Sequence, residues 1–182
     1  NYEKWFKAAK KMIPYSKHYI DKQDIDAVAD ILRNKNIAQG ELIGKLEEKI
    51  SKYVKSKYAI AVTSCSAALH LSSSIIGMKN KNVVTSPITF ASTASSVLHS
   101  GGKLRFVDIS SRNINIDLDY FDKLNFNVNT IIPIHFSGAA VELKNFRRKY
   151  PKIKIIEDSA HALGAKYKNG EMVGSCNFSD IS

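Results

Sequence analysis

Apolar positions early in the chain recur at helical spacing. Ile25, Val28, Ala29 and Leu32 form one set, which ends at Asn34-Lys35-Asn36, and Ile43, Leu46, Ile50 and Tyr53 form a second. Steps of three and four residues put each set on one face of a 3.6-residue turn, so two amphipathic helices are predicted. The pattern then changes to short, continuous apolar runs separated by helix-length segments: YAIAV (58–62), NVVTS (82–86), KLRFVD (103–108), TIIPI (130–134) and KIKIIED (152–158). Continuous rather than alternating hydrophobicity marks strands buried on both faces. The strand, helix, strand rhythm therefore predicts an α/β fold with an open, mostly parallel sheet between helices. Near the end of the chain, Asn169-Gly170 between two strand-like pieces predicts a hairpin.

Ligands of open α/β sheets sit beyond the carboxyl ends of the strands, which directs attention to the loops after Val62, Val84, Ile134 and Glu157. The first carries Thr63-Ser64-Cys65-Ser66 at the start of an alanine- and leucine-rich helix. Free N–H groups and the helix dipole favour an anion there, although serine before an apolar run is equally the pattern of an N-cap. The second, Ser86-Pro87-Ile88-Thr89-Phe90-Ala91-Ser92-Thr93-Ala94, places Phe90 where it could stack on a planar ring or pack in the core. The third ends in His135, read either as a hydrogen-bonding orienter or as a structural histidine. The fourth is Glu157-Asp158-Ser159-Ala160-His161. A carboxylate delivered by an apolar strand is costly to bury unless a cation meets it, and a protonated pyridine nitrogen is such a cation. His161 could approach the same ring or be an ordinary polar loop residue. A metal site made from Asp158, His161 and His135 lacks specific spacing, so no metal is expected.

Composition adds exclusions. A chain of 182 residues that is 44% hydrophobic and 24% charged is ordinary for a folded domain. Its net charge of +10 comes from lysines spread along the chain with no nucleic-acid-binding motif around them, so no nucleic-acid partner is expected. Cys65 and Cys176 lack CxxC or Cys/His spacing and read as buried thiols rather than as a zinc site or disulfide. No apolar run approaches membrane-spanning length and the basic N-terminus has no secretory core, so a cytoplasmic protein is expected. Residues 1–12 are set apart as a basic leader, for which an expression or reading-frame artefact is one origin.

Taken together, IPYSKHYIDKQDIDAV, the Ile37-Ala38-Gln39-Gly40 turn, PITFASTA, Phe106-Val107-Asp108-Ile109, Pro133-Ile134-His135-Phe136-Ser137-Gly138, EDSAHALGAKY and Val173-Gly174-Ser175-Cys176 resemble the DegT/DnrJ/EryC1/StrS family of nucleotide-sugar aminotransferases. The resemblance is greatest to the branch acting on UDP-4-keto-6-deoxy-N-acetylhexosamines in pseudaminic acid synthesis. It implies that residues 13–182 are the N-terminal part of a fold type I large domain that uses pyridoxal 5'-phosphate (PLP). It also implies glutamate as amino donor, a UDP-sugar as substrate and a homodimer at full length. Carried over by position, Cys65 and Ser66 fall where the family binds the cofactor phosphate with Gly-Thr, Phe90 where it stacks on the ring, Asp158 on the pyridine nitrogen and His161 near the ring hydroxyl. Cysteine for glycine keeps the backbone amide but adds bulk; serine for threonine keeps the hydroxyl. The Schiff-base lysine of the family lies beyond Ser182, so no catalytic lysine is assigned and the chain alone is expected to be inactive. Two alternatives are a non-catalytic partner that docks to another polypeptide and a related sugar dehydratase.

Overall fold

A computed structural model describes residues 18–182, and the expected leader at 1–12 lies outside the described residues. The chain divides into two compact units at Leu42, and the second, Ile43–Ser182, carries the sheet. In the first, helix α1 (Lys22–Asn34) is started by a capping box. Asp21 Oδ1 accepts from the N–H groups of Gln23 and Asp24, and Asp24 returns a carboxylate oxygen to the Asp21 N–H. None of its residues is buried, so the apolar stripe read from the sequence is present but faces solvent. Helix α2 (Glu41–Val54) contains the second predicted stripe.

The second unit alternates as the apolar runs require: α3 (Cys65–Ile76), β1 (Asn82–Thr85), α4 (Ala91–His99), β2 (Lys103–Phe106), β3 (Thr130–Ile132), α5 (Leu143–Lys149) and β4 (Lys154–Ile155). The four strands pair in parallel in the order β2-β1-β3-β4. Successive residues in each central strand go to different cores. Val84, Ile131 and Ile155 join Leu143 and Phe146 of α5, while Val83, Ile132 and Ile156 join Leu69 of α3 and Val97 of α4. Because side chains alternate across a strand, the two clusters lie on opposite faces of the sheet, which accounts for the continuous hydrophobicity of the runs. The hairpin also forms, with Lys166 bridged antiparallel to Met172 across Asn169-Gly170. Among the described residues no helix is long and apolar enough to cross a membrane.

One predicted strand is absent. Residues 58–62 have no regular secondary structure and pair with no strand, and Tyr58 and Ile60 are 74% and 81% exposed. A strand exists only through its ladder. Here side chains serve instead: Glu47 Oε1 accepts from the Ala61 N–H at 2.8 Å, and the Tyr58 carbonyl accepts from Ser56 Oγ at 2.8 Å.

The end of β4 is fixed by two polar clusters. Asp180 receives Arg147 at 2.6 Å, Lys154 at 2.7 Å and the Ile155 N–H at 2.9 Å, which ties the segment after Phe178 alongside β4. Burial would raise the Asp180 carboxyl, but these donors outweigh it and hold the group below its usual range. Deeper in, Glu157 is buried and accepts from His135 Nε2 at 2.7 Å, from the Tyr167 hydroxyl and from Ser179 Oγ. His135 Nδ1 accepts the Val141 N–H at 2.9 Å, which leaves the proton on Nε2 for Glu157. Burial, reinforced by Glu157, pushes the Tyr167 phenol well above 10, so it stays a donor. A phenol raised in the folded state contributes stability that is complete below its unfolded value near 10 and lost as pH rises past it. Tyr167→Phe is therefore expected to destabilise the chain at pH 7 by about 1.5–3 kcal/mol, the worth of a hydrogen bond to a charged group. It should also weaken the alkaline loss of stability above pH 10; denaturant unfolding at pH 7 and pH 11 checks both.

Candidate active site

Strand order reverses between β1 and β3, and a cleft opens at the carboxyl ends of the strands there, the switch point of an open sheet. Its volume is about 220 Å³, and its walls are Cys65, Ser66, Thr89, Phe90, Ser92, Ile134, Phe136, Asp158, Ala160 and His161. The five residues that the family resemblance assigns to the cofactor, Cys65, Ser66, Phe90, Asp158 and His161, thus meet in one place, and His135 does not join them. A larger cleft, about 830 Å³, is lined by Thr130 and Lys154 at the amino ends of β3 and β4. It is away from these residues and shares none of them.

The floor is Asp158. Parallel pairing continues one step past β3 and β4, with the Asp158 N–H given to Pro133 O at 2.9 Å and the His135 N–H given to Asp158 O at 3.1 Å. The carboxylate is buried, and Oδ2 accepts from Thr93 Oγ1 at 2.8 Å. Thr93 Oγ1 in turn accepts from Thr89 Oγ1 at 2.8 Å. Oδ1 has only long contacts, the Ala160 N–H at 3.4 Å and Cys65 Sγ at 4.0 Å. Among the described residues no lysine, arginine or histidine forms an ion pair with Asp158, a costly condition for a buried anion.

Ser64 caps α3, its Oγ accepting the Ala67 N–H at 3.2 Å. First-turn N–H groups have no intrahelical acceptor, so those of Cys65 and Ser66, both residues of the cleft wall, are available to an anion at the positive end of the helix. Phe90 is the N-cap residue of α4 and its side chain is 76% exposed, so its ring is not a core residue. His161 is exposed; its Nδ1 accepts the Ser137 N–H at 3.4 Å and its ring meets Phe136 edge to face at 5.9 Å. The turn beneath it needs glycine. Gly138 has φ +81° and a Cβ there would stand 3.2 Å from His161 O.

His135 is on the other side of the strand, with both ring nitrogens engaged by Glu157 and Val141, so it is the structural histidine of the two readings. It cannot join Asp158 and His161 around a metal, and no group of three such ligands occurs among the described residues. Thr89 and Thr93 are the residues that sequence reasoning missed. Their signal was a pair of hydroxyls flanking the N-cap Phe90, with Thr89 before the helix and Thr93 in its first turn. Cys65 is an exposed thiol rather than the buried one expected. Partial burial, then the Asp158 carboxylate, push it above the ordinary thiol range. Iodoacetamide labelling followed by mass spectrometry should find Cys65 slow at pH 8, and Asp158→Asn should accelerate it by lowering the thiol toward its usual value.

Residues 18–182 match the sequence profile of the DegT/DnrJ/EryC1/StrS aminotransferase family. The chain is 37% identical over 171 residues to the UDP-4-amino-4,6-dideoxy-N-acetyl-beta-L-altrosamine transaminase of Campylobacter jejuni, covering 90% of this chain and 45% of that protein. Among solved structures it superposes on Helicobacter pylori PseC, an aminotransferase of pseudaminic acid biosynthesis, with a TM-score of 0.79 and 30% identity, over 88% of this chain and 44% of that one. It superposes on Spr1654 from Streptococcus pneumoniae in its PLP form with a TM-score of 0.82 and 26% identity, over 93% and 48% of the two chains. The chain thus spans about half the length of the relatives it matches. On the profile, the relatives and the shared α/β fold, it belongs to the DegT/DnrJ/EryC1/StrS aminotransferase family.

Proposed function

We propose that this chain supplies the cofactor-holding half of a PLP-dependent transaminase. In this reading the enzyme moves the amino group of glutamate to the 4-keto carbon of a UDP-linked 6-deoxy-N-acetylhexosamine. The observation that carries it is Asp158, a buried carboxylate at the floor of a cleft with no cationic partner among the described residues. The residues present fit the cofactor. Asp158 would pair with a protonated pyridine nitrogen, Phe90 would offer its exposed ring for stacking, the Cys65 and Ser66 amides would take the phosphate, and His161, in the same cleft wall, would serve the ring hydroxyl. When bound, the group serves as an electron sink for a deprotonated amine, and Asp158 sustains that role by holding the ring nitrogen protonated.

Size limits what this half can do. Small-molecule sites commonly enclose about 300–1,000 Å³. The cleft, at about 220 Å³, lies below that range, so it does not by itself enclose a cofactor together with a nucleotide sugar. Among the described residues no lysine lines it, so in this reading the walls for the sugar and the lysine that carries the cofactor and shuttles protons are contributed by other parts of the enzyme. At full length the enzyme is read as a cytoplasmic homodimer.

A second reading, a non-catalytic chain that acts by docking to another polypeptide, is favoured by one feature. A groove of about 420 Å³ runs between residues 58–62, α3 and Ile181, with Ile60, Leu71 and Ile75 exposed along it. Such a surface favours association. Light scattering of the isolated chain tests the docking reading, which a clean monomer removes.

Titration of the purified chain with PLP, followed by cofactor absorbance and equilibrium dialysis, should show saturable binding that Asp158→Asn weakens by roughly a hundredfold or more. The full reading frame, supplied with glutamate and the UDP-4-keto-6-deoxy sugar, should release 2-oxoglutarate. Absence of PLP binding by both forms would sink the proposal.

A further inference from the structure

We propose that Thr93, backed by Thr89, is the positioning residue for Asp158: it fixes the carboxylate so that Oδ1 is offered to the cleft. This rests on the cofactor reading above and names how the site is held ready. Thr93 is fully buried and has one hydroxyl proton. Its oxygen already accepts from Thr89, so its own proton is directed to Asp158 Oδ2, and the relay runs one way, Thr89 to Thr93 to Asp158. A hydroxyl-to-carboxylate bond is charge-assisted and strongly directional. It holds the plane of a carboxylate whose χ2 torsion is otherwise broad.

The other oxygen is the complement of this arrangement. Oδ1 has contacts at 3.4 and 4.0 Å only, both too long to compete with an incoming donor. The 4.0 Å contact is Cys65, itself a wall of the cleft, so Oδ1 is on the cleft side while Oδ2 is spent on the helix side. The main chain of Asp158 is held by Pro133 and His135, which leaves the side-chain torsions as the remaining freedom that Thr93 removes. Packing alone does not call for a hydroxyl here, because valine has nearly the same shape.

Two substitutions separate positioning from packing. Thr93→Val keeps the volume and removes the donor; Thr93→Ser keeps the donor and removes a methyl. Positioning predicts that the valine variant binds PLP roughly tenfold more weakly, the effect of losing one hydrogen bond to a charged group, and that the serine variant stays within about twofold of the parent. A packing role predicts the reverse order, and that order overturns the proposal. A second readout needs no cofactor. The pH midpoint of Cys65 alkylation reports the carboxylate beside the thiol, so it should be displaced in Thr93→Val and restored in Thr93→Ser. An unchanged midpoint in Thr93→Val refutes the positioning role whatever the PLP result. If the midpoint moves as expected while no form binds PLP, the positioning role stands and the cofactor reading fails instead.

Discussion

Two consecutive carboxylates, Glu157 and Asp158, leave the end of β4 buried on opposite sides of the strand, and the surrounding structure is organised by how each is satisfied. Glu157 is saturated: His135, Tyr167 and Ser179 all donate to it. Asp158 is not, having one good donor on Oδ2 and an oxygen in reserve. Since a buried polar group costs stability unless it is paired, the first is a structural anchor and the second a site waiting for a partner. His135 links them, giving its ring proton to Glu157 and its backbone N–H to the Asp158 carbonyl. Disturbing the anchor therefore disturbs the backbone from which the Asp158 carboxylate is presented.

The layering of the fold was legible because it depends on local composition. Continuous apolar runs such as Val83-Val84 and Ile131-Ile132 must feed two cores, and they do. Residues 58–62 have the same composition and make no strand, because a ladder depends on a neighbour that composition does not encode. The site was legible for a similar reason at Asp158, Phe90 and Ser66, where residues of unusual type stand at strand ends. It was less so at His135 and Thr93. The chain pattern placed both near the site, but only the alternation of side chains along a strand end and the pairing of α4 with Asp158 decide that one faces away and the other faces in. Cys65 misled in the opposite sense, since thiols are most often buried and this one begins a helix at an open cleft mouth.

Rigidity is distributed unevenly around the cleft. Asp158 and Thr93 are buried and cross-bonded, while Phe90 keeps three-quarters of its surface in water. A buried, bonded group pays its ordering cost during folding and an exposed ring does not, so binding energy here is pre-organised at the floor and must be gained at the lip. That division suits a planar ligand with a cationic edge. Such an edge would find a carboxylate already oriented, and its face would gain the burial of an aromatic ring that the free protein leaves wet. The same reasoning explains why a larger, more basic cleft elsewhere is a poorer candidate: its lysines are exposed or paired with Asp122 and Asp180, and the buried polar atom it leaves without a partner is the neutral hydroxyl of Thr130, which costs less to leave unmet than a carboxylate.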